Sequence, residues 1–355
     1  MSVRRLGWGR ATIASVCAVA LACSGGEKTP AADSGAKSAA GGKADSSIVI
    51  AMIAKESANP VFLAARTGAE AAARELSQKY GIDVKVEWLT PPQQDGEVQA
   101  QRIRQAVNDG VDAILISCSD AGKVTGAIND AVDRGVTVMT FDSDAPQSKR
   151  FAFYGVDDEK TGQQAMAELA KVLGGKGNVA VLAGNQNAPN LQRRVQGVKN
   201  EAAKSAGIQI VGVFNHIETP QDASAEVVRV DNAYPRITGW VFIGGWPLWT
   251  HSLLTDPNFA RLKVVSVDAL PPQLAYVEKG VVPVLLAQSV YDWGHVGVQT
   301  IVEKLHDNKT PPNPIIPMEL VRVTNDNLGD WARQLKEWGF TDVDPKYLAL
   351  PSAKK

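Results

Sequence analysis

From residue 47 onward the chain repeats one pattern. A short continuous apolar run gives way to a polar turn, and then to a longer stretch with apolar residues every three or four positions. The runs Ser47–Ala54, Asp83–Leu89, Ala113–Ser117 and Thr137–Phe141 predict strands, separated by amphipathic helices over 60–80, 97–108 and 121–134. A second set begins with Phe151–Gly155 and a helix over 160–173. Strands follow at 177–182, 208–214, 240–243, 263–267 and 282–287, again with helical stretches between them. Short Val/Ile/Leu runs of this kind read as strands covered on both faces, and their alternation with helices predicts mostly parallel sheets. Two such sets predict an α/β protein with two doubly wound parallel-sheet lobes.

The first 46 residues follow a different rule. Arg4, Arg5 and Arg10 precede an apolar run over 11–22, the length of a signal-peptide core and short of the ~20 residues of a membrane helix. The run ends in Ala20-Leu21-Ala22-Cys23, which resembles the lipobox of bacterial lipoproteins, although the leucine favoured three residues before the cysteine is Ala20 here. The resemblance implies a signal peptide over 1–22 and a lipid on Cys23; an ordinary secretory signal cleaved nearby is the alternative. Residues 24–46 carry no large apolar side chain, so burial cannot offset their ordering entropy. They read, with Cys23, as a flexible linker, 23–46, between anchor and body.

Charge and cysteine content narrow the class. A net charge of −1 with no basic block argues against nucleic acid as a partner. Cys118 is the only thiol beyond Cys23, so neither a disulfide framework nor a cysteine zinc site can be built in the body, and it reads as a small packing residue. The four histidines, His216, His251, His295 and His306, have no metal-ligand spacing. There is no Gly-x-Ser-x-Gly elbow and no phosphate loop, so no catalytic residue, metal or cofactor is expected. A glycosidase pair of Asp142 and Asp268 has no supporting feature.

Ligands of open α/β sheets bind beyond the carboxyl ends of the strands. Here those ends carry Lys55 to Phe62 with Asn59 among them, then Ser117, Ser119 and Asp120, then Asp142, Ser143 and Asp144. In the second set they carry Gly184 to Asn187 leading to Arg193 and Arg194, then Gly244 to Trp249, Asp268 and Gln288. Two lobes with such rims facing each other make a cleft.

From about Ile48 to about Asn308 the chain resembles the ribose-type periplasmic sugar-binding proteins, receptor subunits of ABC importers. The resemblance is carried by Asn59-Pro60-Val61-Phe62, Phe141-Asp142-Ser143, Arg194 three residues before Gly197, Val267-Asp268-Ala269 and Ala287-Gln288. It implies lobes joined by a multi-strand hinge, with 47–155 and 290–310 in the N-terminal lobe and 156–289 and 311–345 in the C-terminal lobe. A helix over 291–306 would cross back to the first lobe. A tail from Pro311 exceeds the family's usual end, and its stretch over 325–338 reads as a helix packing on the second lobe. The ligand contacts implied are Asn59, Phe62, Asp142, Arg194, Trp246, Asp268 and Gln288. Carboxylates and guanidinium suit vicinal hydroxyls, and aromatic rings suit the C–H face of a sugar. Val61, Ser143 and Gly245-Trp246 depart from the family pattern and point away from ribose itself, leaving a pentose, a hexose or a sugar alcohol open.

Other roles exist for these residues. Asp142 and Asp268 could cap helices, Asn59 could cap a helix opened by Pro60, and Arg194 could be a solvated helix residue or an ion-pair partner. Trp246 could pack in the core; Trp249 and Trp293 read as core or rim; Asp157-Asp158 reads as a solvated helix start. The expectation is a monomeric, non-enzymatic solute-binding lipoprotein of the periplasm or cell surface. It would deliver a neutral monosaccharide or sugar alcohol to ABC permease subunits. A periplasmic sensor reporting to a chemotaxis or kinase receptor is the alternative.

Overall fold

A computed structural model describes residues 47–353. The signal, the linker and Cys23 lie outside the described residues. The elements run β1 (Ser47–Ile53), α1 (Pro60–Tyr80), β2 (Asp83–Trp88), α2 (Gly96–Asp109), β3 (Ala113–Ile116), α3 (Ala121–Asp133), β4 (Thr137–Phe141) and β5 (Ala152–Gly155). Then come α4 (Asp158–Val172), β6 (Gly177–Ala183), α5 (Pro189–Ala202), β7 (Ile208–Asn215), α6 (Pro220–Ala233), β8 (Gly239–Phe242), α7 (Pro257–Ala260), β9 (Lys263–Val267), α8 (Leu274–Glu278) and β10 (Val284–Ala287). The chain closes with α9 (Val290–His306), β11 (Ile315–Pro317), β12 (Val321–Val323), α10 (Leu328–Glu337) and α11 (Pro345–Leu348).

The strands form two six-stranded sheets, ordered β11-β5-β4-β3-β1-β2 and β12-β10-β9-β8-β6-β7. Every pairing is parallel except that of β12 with β10. β3, β5, β8 and β10 are buried at every position, as strands sandwiched between helix layers must be. The doubly wound α/β architecture expected from the alternation is the one observed. Cys118 is buried in the first lobe's core.

Three segments cross between the sheets: from β5 to α4, from β10 to α9, and from β11 to β12. α9 returns to the first lobe, where Val290, Trp293, Val298, Ile301 and Val302 join its core. The tail differs from the sequence reading, which assigned all of 311–345 to the second lobe. Ile315–Pro317 pairs with Phe153–Gly155 as an edge strand of the first sheet, and the crossing comes only after it. Three residues that follow Pro314 and end in Pro317 carry no readable period, and proline is tolerated there because an edge strand leaves one row of donors unused. Beyond β12, Leu328, Trp331, Ala332 and Leu335 of α10 enter the second lobe's core, and the Trp331 indole N–H donates to the Ala269 carbonyl at 2.7 Å.

Candidate ligand-binding site

All seven side chains singled out from the sequence line one cavity between the lobes: Asn59, Phe62, Asp142, Arg194, Trp246, Asp268 and Gln288. The elements that carry them explain why. Pro60 opens α1 with its φ already helical, and the Asn59 side chain accepts from the Val61 amide at 3.1 Å. Asn59 therefore caps the helix and lines the cavity at once. The cap sets the first turn of α1 so that Phe62 is buried against Phe141 and Trp293, with ring centroids 6.3 and 6.0 Å away.

Asp142 follows β4 and Asp268 follows β9. Both sit in the left-handed region, at φ 54° and 68°. Non-glycine residues there are strained, and such strain collects at ligand sites. Neither aspartate caps a helix. Asp142 accepts from the Ser117 hydroxyl at 2.7 Å and from the Asn190 amide at 3.0 Å, and it pairs with the Lys55 ammonium at 3.1 Å. Lys55 also donates to Asn190 at 3.1 Å. Asp268 accepts from the Gly245 backbone at 3.0 Å and from Gln288 at 2.8 Å.

Arg194 is buried and spends all its reach inside the second lobe. Its Nε pairs with Asp158 at 2.9 Å, and its two Nη atoms donate to the Ile243 carbonyl at 3.0 Å and to Gln288 at 2.9 Å. The solvated-helix role for Asp157-Asp158 thus fails at its second residue. Asp157 caps α4, but Asp158 is buried beneath the guanidinium. Burial pushes the Asp158 carboxyl up to about 6 against the pull of Arg194. Burial also raises Asp268, again opposed by Arg194.

Trp246 is 4 % exposed and packs its ring at 5.0 Å from the His216 ring. The two preceding glycines do not hold it out. A Cβ on Gly244 would lie 2.4 Å from the indole, so Gly244 is what lets the ring fold back over the turn. Trp246 belongs to the second lobe's core and lines the cavity as well. Trp249 and Trp293 also line it, each with an indole N–H that has no protein partner.

Three polar lining residues, Lys55, Asn190 and Glu218, were not among the candidates from the sequence. Lys55 had a partial signal, as the first charge after the apolar strand Ser47–Ile53, and it reads only as part of that strand's polar rim. Asn190 and Glu218 had none, being ordinary polar residues at the starts of helices. With Lys55, Asp158 and Glu218 included, the site holds two cations and four carboxylates.

The cavity has a volume of only ≈ 30 Å³, room for one or two waters. Asn190 of the second lobe bridges Lys55 and Asp142 of the first across it. A molecule larger than a few waters fits there only when those contacts part. A wider cavity of ≈ 960 Å³ lies outside, between the same two rims.

Residues 50–309 match the family model of the periplasmic binding protein domain. The chain belongs to that family. Within it, the ribose-type resemblance expected from the motifs holds. The chain is 31 % identical over 144 residues to a ribose import binding protein, RbsB, of Bacillus subtilis, a match covering 41 % of this chain and 45 % of that protein. It is 29 % identical over 170 residues to a D-ribose/D-allose-binding protein of Pseudomonas aeruginosa, covering 46 % and 52 %. The chain thus spans about half the length of these two relatives. An ABC transporter solute-binding protein from Burkholderia graminis, solved in complex with D-arabinose, superposes with a TM-score of 0.73 at 28 % identity, over 79 % of this chain and 96 % of that one. Among the described residues no helix is long and apolar enough to cross a membrane.

Proposed function

We propose that this periplasmic binding protein captures a neutral monosaccharide or sugar alcohol between its lobes and delivers it to the permease subunits of an ABC importer. The observation that carries the reading is the cross-lobe array of Lys55, Asp142 and Asn190, set against the Arg194–Gln288–Asp268 chain. Carboxylates and amides spaced in this way accept and donate to adjacent hydroxyls, and a site with more carboxylates than cations disfavours an acidic guest. Phe62 and Trp246 are the rings for a sugar's C–H face. Asn59 and Lys55 complete the first-lobe contacts. The sugars for which the two relatives and the solved neighbour are named, ribose, allose and arabinose, are of the proposed class.

Both halves of the cleft come from one chain, which suits a monomer. A family model of periplasmic binding proteins suits a location outside the cytoplasm. The lipid anchor on Cys23 is the reading of the N-terminal sequence, and mass spectrometry of the membrane-extracted N-terminal peptide tests it: an unmodified peptide containing residues before Cys23 overturns it.

The ligand class is tested by thermal unfolding with D-ribose, D-allose, D-arabinose, D-glucose and xylitol, with amino acids as controls. A ligand at a hundredfold excess over its Kd stabilises by about 2.7 kcal/mol. Stabilisation by at least one neutral polyol and by no amino acid is expected. The reading falls if no polyol shifts the transition.

A further inference from the structure

Glu218 plays no part in the contacts described so far, yet among the described residues it alone lines both the inner cavity and the wider outer one. It lies in the turn between β7 and α6 of the second lobe and is buried. One carboxylate oxygen accepts from the Asn185 backbone at 2.9 Å within its own lobe. The other accepts from the Gln94 side chain of the first lobe at 2.6 Å. Gln94 in turn accepts from the Asn185 side chain at 3.2 Å, so one amide of the first lobe is gripped at both ends by the second. The second lobe is shaped for this. A Cβ on Gly184 would stand 2.7 Å from the Glu218 side chain, so only glycine leaves the carboxylate its place.

We infer that Gln94 and Glu218 form the clasp at the mouth of the cleft, making Glu218 a positioning residue that sets how long a captured ligand is held. The inference rests on the interlobe reading of the site and adds to it the exit side. The geometry leaves little alternative. The three crossing segments hold the lobes together elsewhere, whereas Gln94 and Glu218 meet only while the rims are closed. Separation breaks a charge-assisted hydrogen bond and exchanges the Gln94 donor for water. Glu56 also lines the outer cavity, its carboxyl raised by burial and then by the Glu218 charge, so the mouth holds two carboxylates that repel each other.

A clasp acts on escape rather than on entry. Gln94→Ala, Glu218→Gln, Glu218→Ala and the Gln94→Ala/Glu218→Ala double variant are made in the full chain. Gln94 is half-buried on a loop, so its variant tests the clasp even where loss of the Glu218 carboxylate impairs folding. D-ribose, D-arabinose and xylitol are the probes, with stopped-flow tryptophan fluorescence as the signal. The dissociation rate should rise about tenfold in each alanine variant and no further in the double variant, with the association rate within about twofold. Unchanged dissociation, or single effects that multiply in the double variant, overturns the clasp. Hydrogen exchange without sugar supplies the second readout: Gln94→Ala should quicken exchange over 184–187 and 216–219 of the opposite lobe, and unchanged exchange there overturns the clasp. If no probe binds but exchange quickens, the sugar reading fails while the clasp stands.

Discussion

The two lobes are the same scaffold with different rims. Each runs five parallel strands in one order, β2-β1-β3-β4-β5 in the first and β7-β6-β8-β9-β10 in the second, with a sixth strand at the edge. Each brings two helices to backbone contact across glycines. A Cβ on Gly294 of α9 would fall 1.8 Å from the Ala65 carbonyl of α1, and one on Gly162 of α4 would fall 1.9 Å from the Arg194 carbonyl of α5. Each ends its fourth strand in an aspartate held at positive φ. Yet Asp142 takes one of its partners from the opposite lobe, whereas Asp268 finds all of its partners in its own lobe and at the crossing before α9. The same position in the same fold serves once as a contact between lobes and once as a platform within one. On the proposed reading, the ligand would be received by a preorganised second lobe and held by the first lobe.

That contrast can be broken, beginning with the largest effect. Lys55→Met leaves the Asp142 carboxylate buried without its cation and should cost about 4 kcal/mol in urea unfolding. Asp268→Asn keeps one acceptor, for Gly245, and should cost much less; equal losses at the two sites would abolish the asymmetry.

Next comes pH. The Asp158 carboxyl titrates higher in the folded protein than its ordinary 3.8, at about 6, because burial disfavours its charge. The stability tied to the protonated form is therefore complete below about pH 4 and is lost as pH rises through 6. The wild type should lose up to about 3 kcal/mol relative to Asp158→Asn across that window and run parallel to it above. Parallel curves throughout would show that the Arg194 ion pair, not burial, dominates the platform.

Gly294→Ala and Gly162→Ala should each cost about 2 kcal/mol by forcing a helix pair apart, to a similar extent in both lobes. Gly162→Ala should also weaken ligand binding by shifting the Arg194 guanidinium on α5, and Gly294→Ala by shifting Phe62 on α1 against Trp293 on α9. The smallest effect belongs to Trp331→Phe, which removes the indole donor to Ala269 and should lower stability by about 1 kcal/mol. Ala269 follows Asp268 directly, so a loss of affinity beyond this would mean that the tail helps to hold the platform in place.

The strand and helix ends were legible to within a residue or two because period is a local property. β4, β9 and α1 begin and end where the pattern placed them. The edge strand Ile315–Pro317 was not, since three residues that follow one proline and end in another have no period to read. The seven candidates could be singled out because they stand just beyond strand ends or within the first two turns of helices, places a parallel fold turns toward one rim. Lys55 was half legible, as a charge stranded beside an apolar run. Asp158 was hidden. Next to Asp157 and Glu159 it has the look of a helix's acidic first turn, and only the close approach of α4 and α5 buries it.

By itself the sequence determined two parallel lobes, the rims that face each other and the kind of chemistry those rims offer, because strand burial and loop composition are written residue by residue. Which charge pairs with which was decided only by tertiary structure. Arg194 finds Asp158 because glycines let two helices touch, Lys55 finds Asp142 because β1 and β4 end on the same rim, and Gln94 finds Glu218 because the lobes meet. Partners 36, 87 and 124 residues apart in the chain share no local signal, and only packing brings them within hydrogen-bond reach.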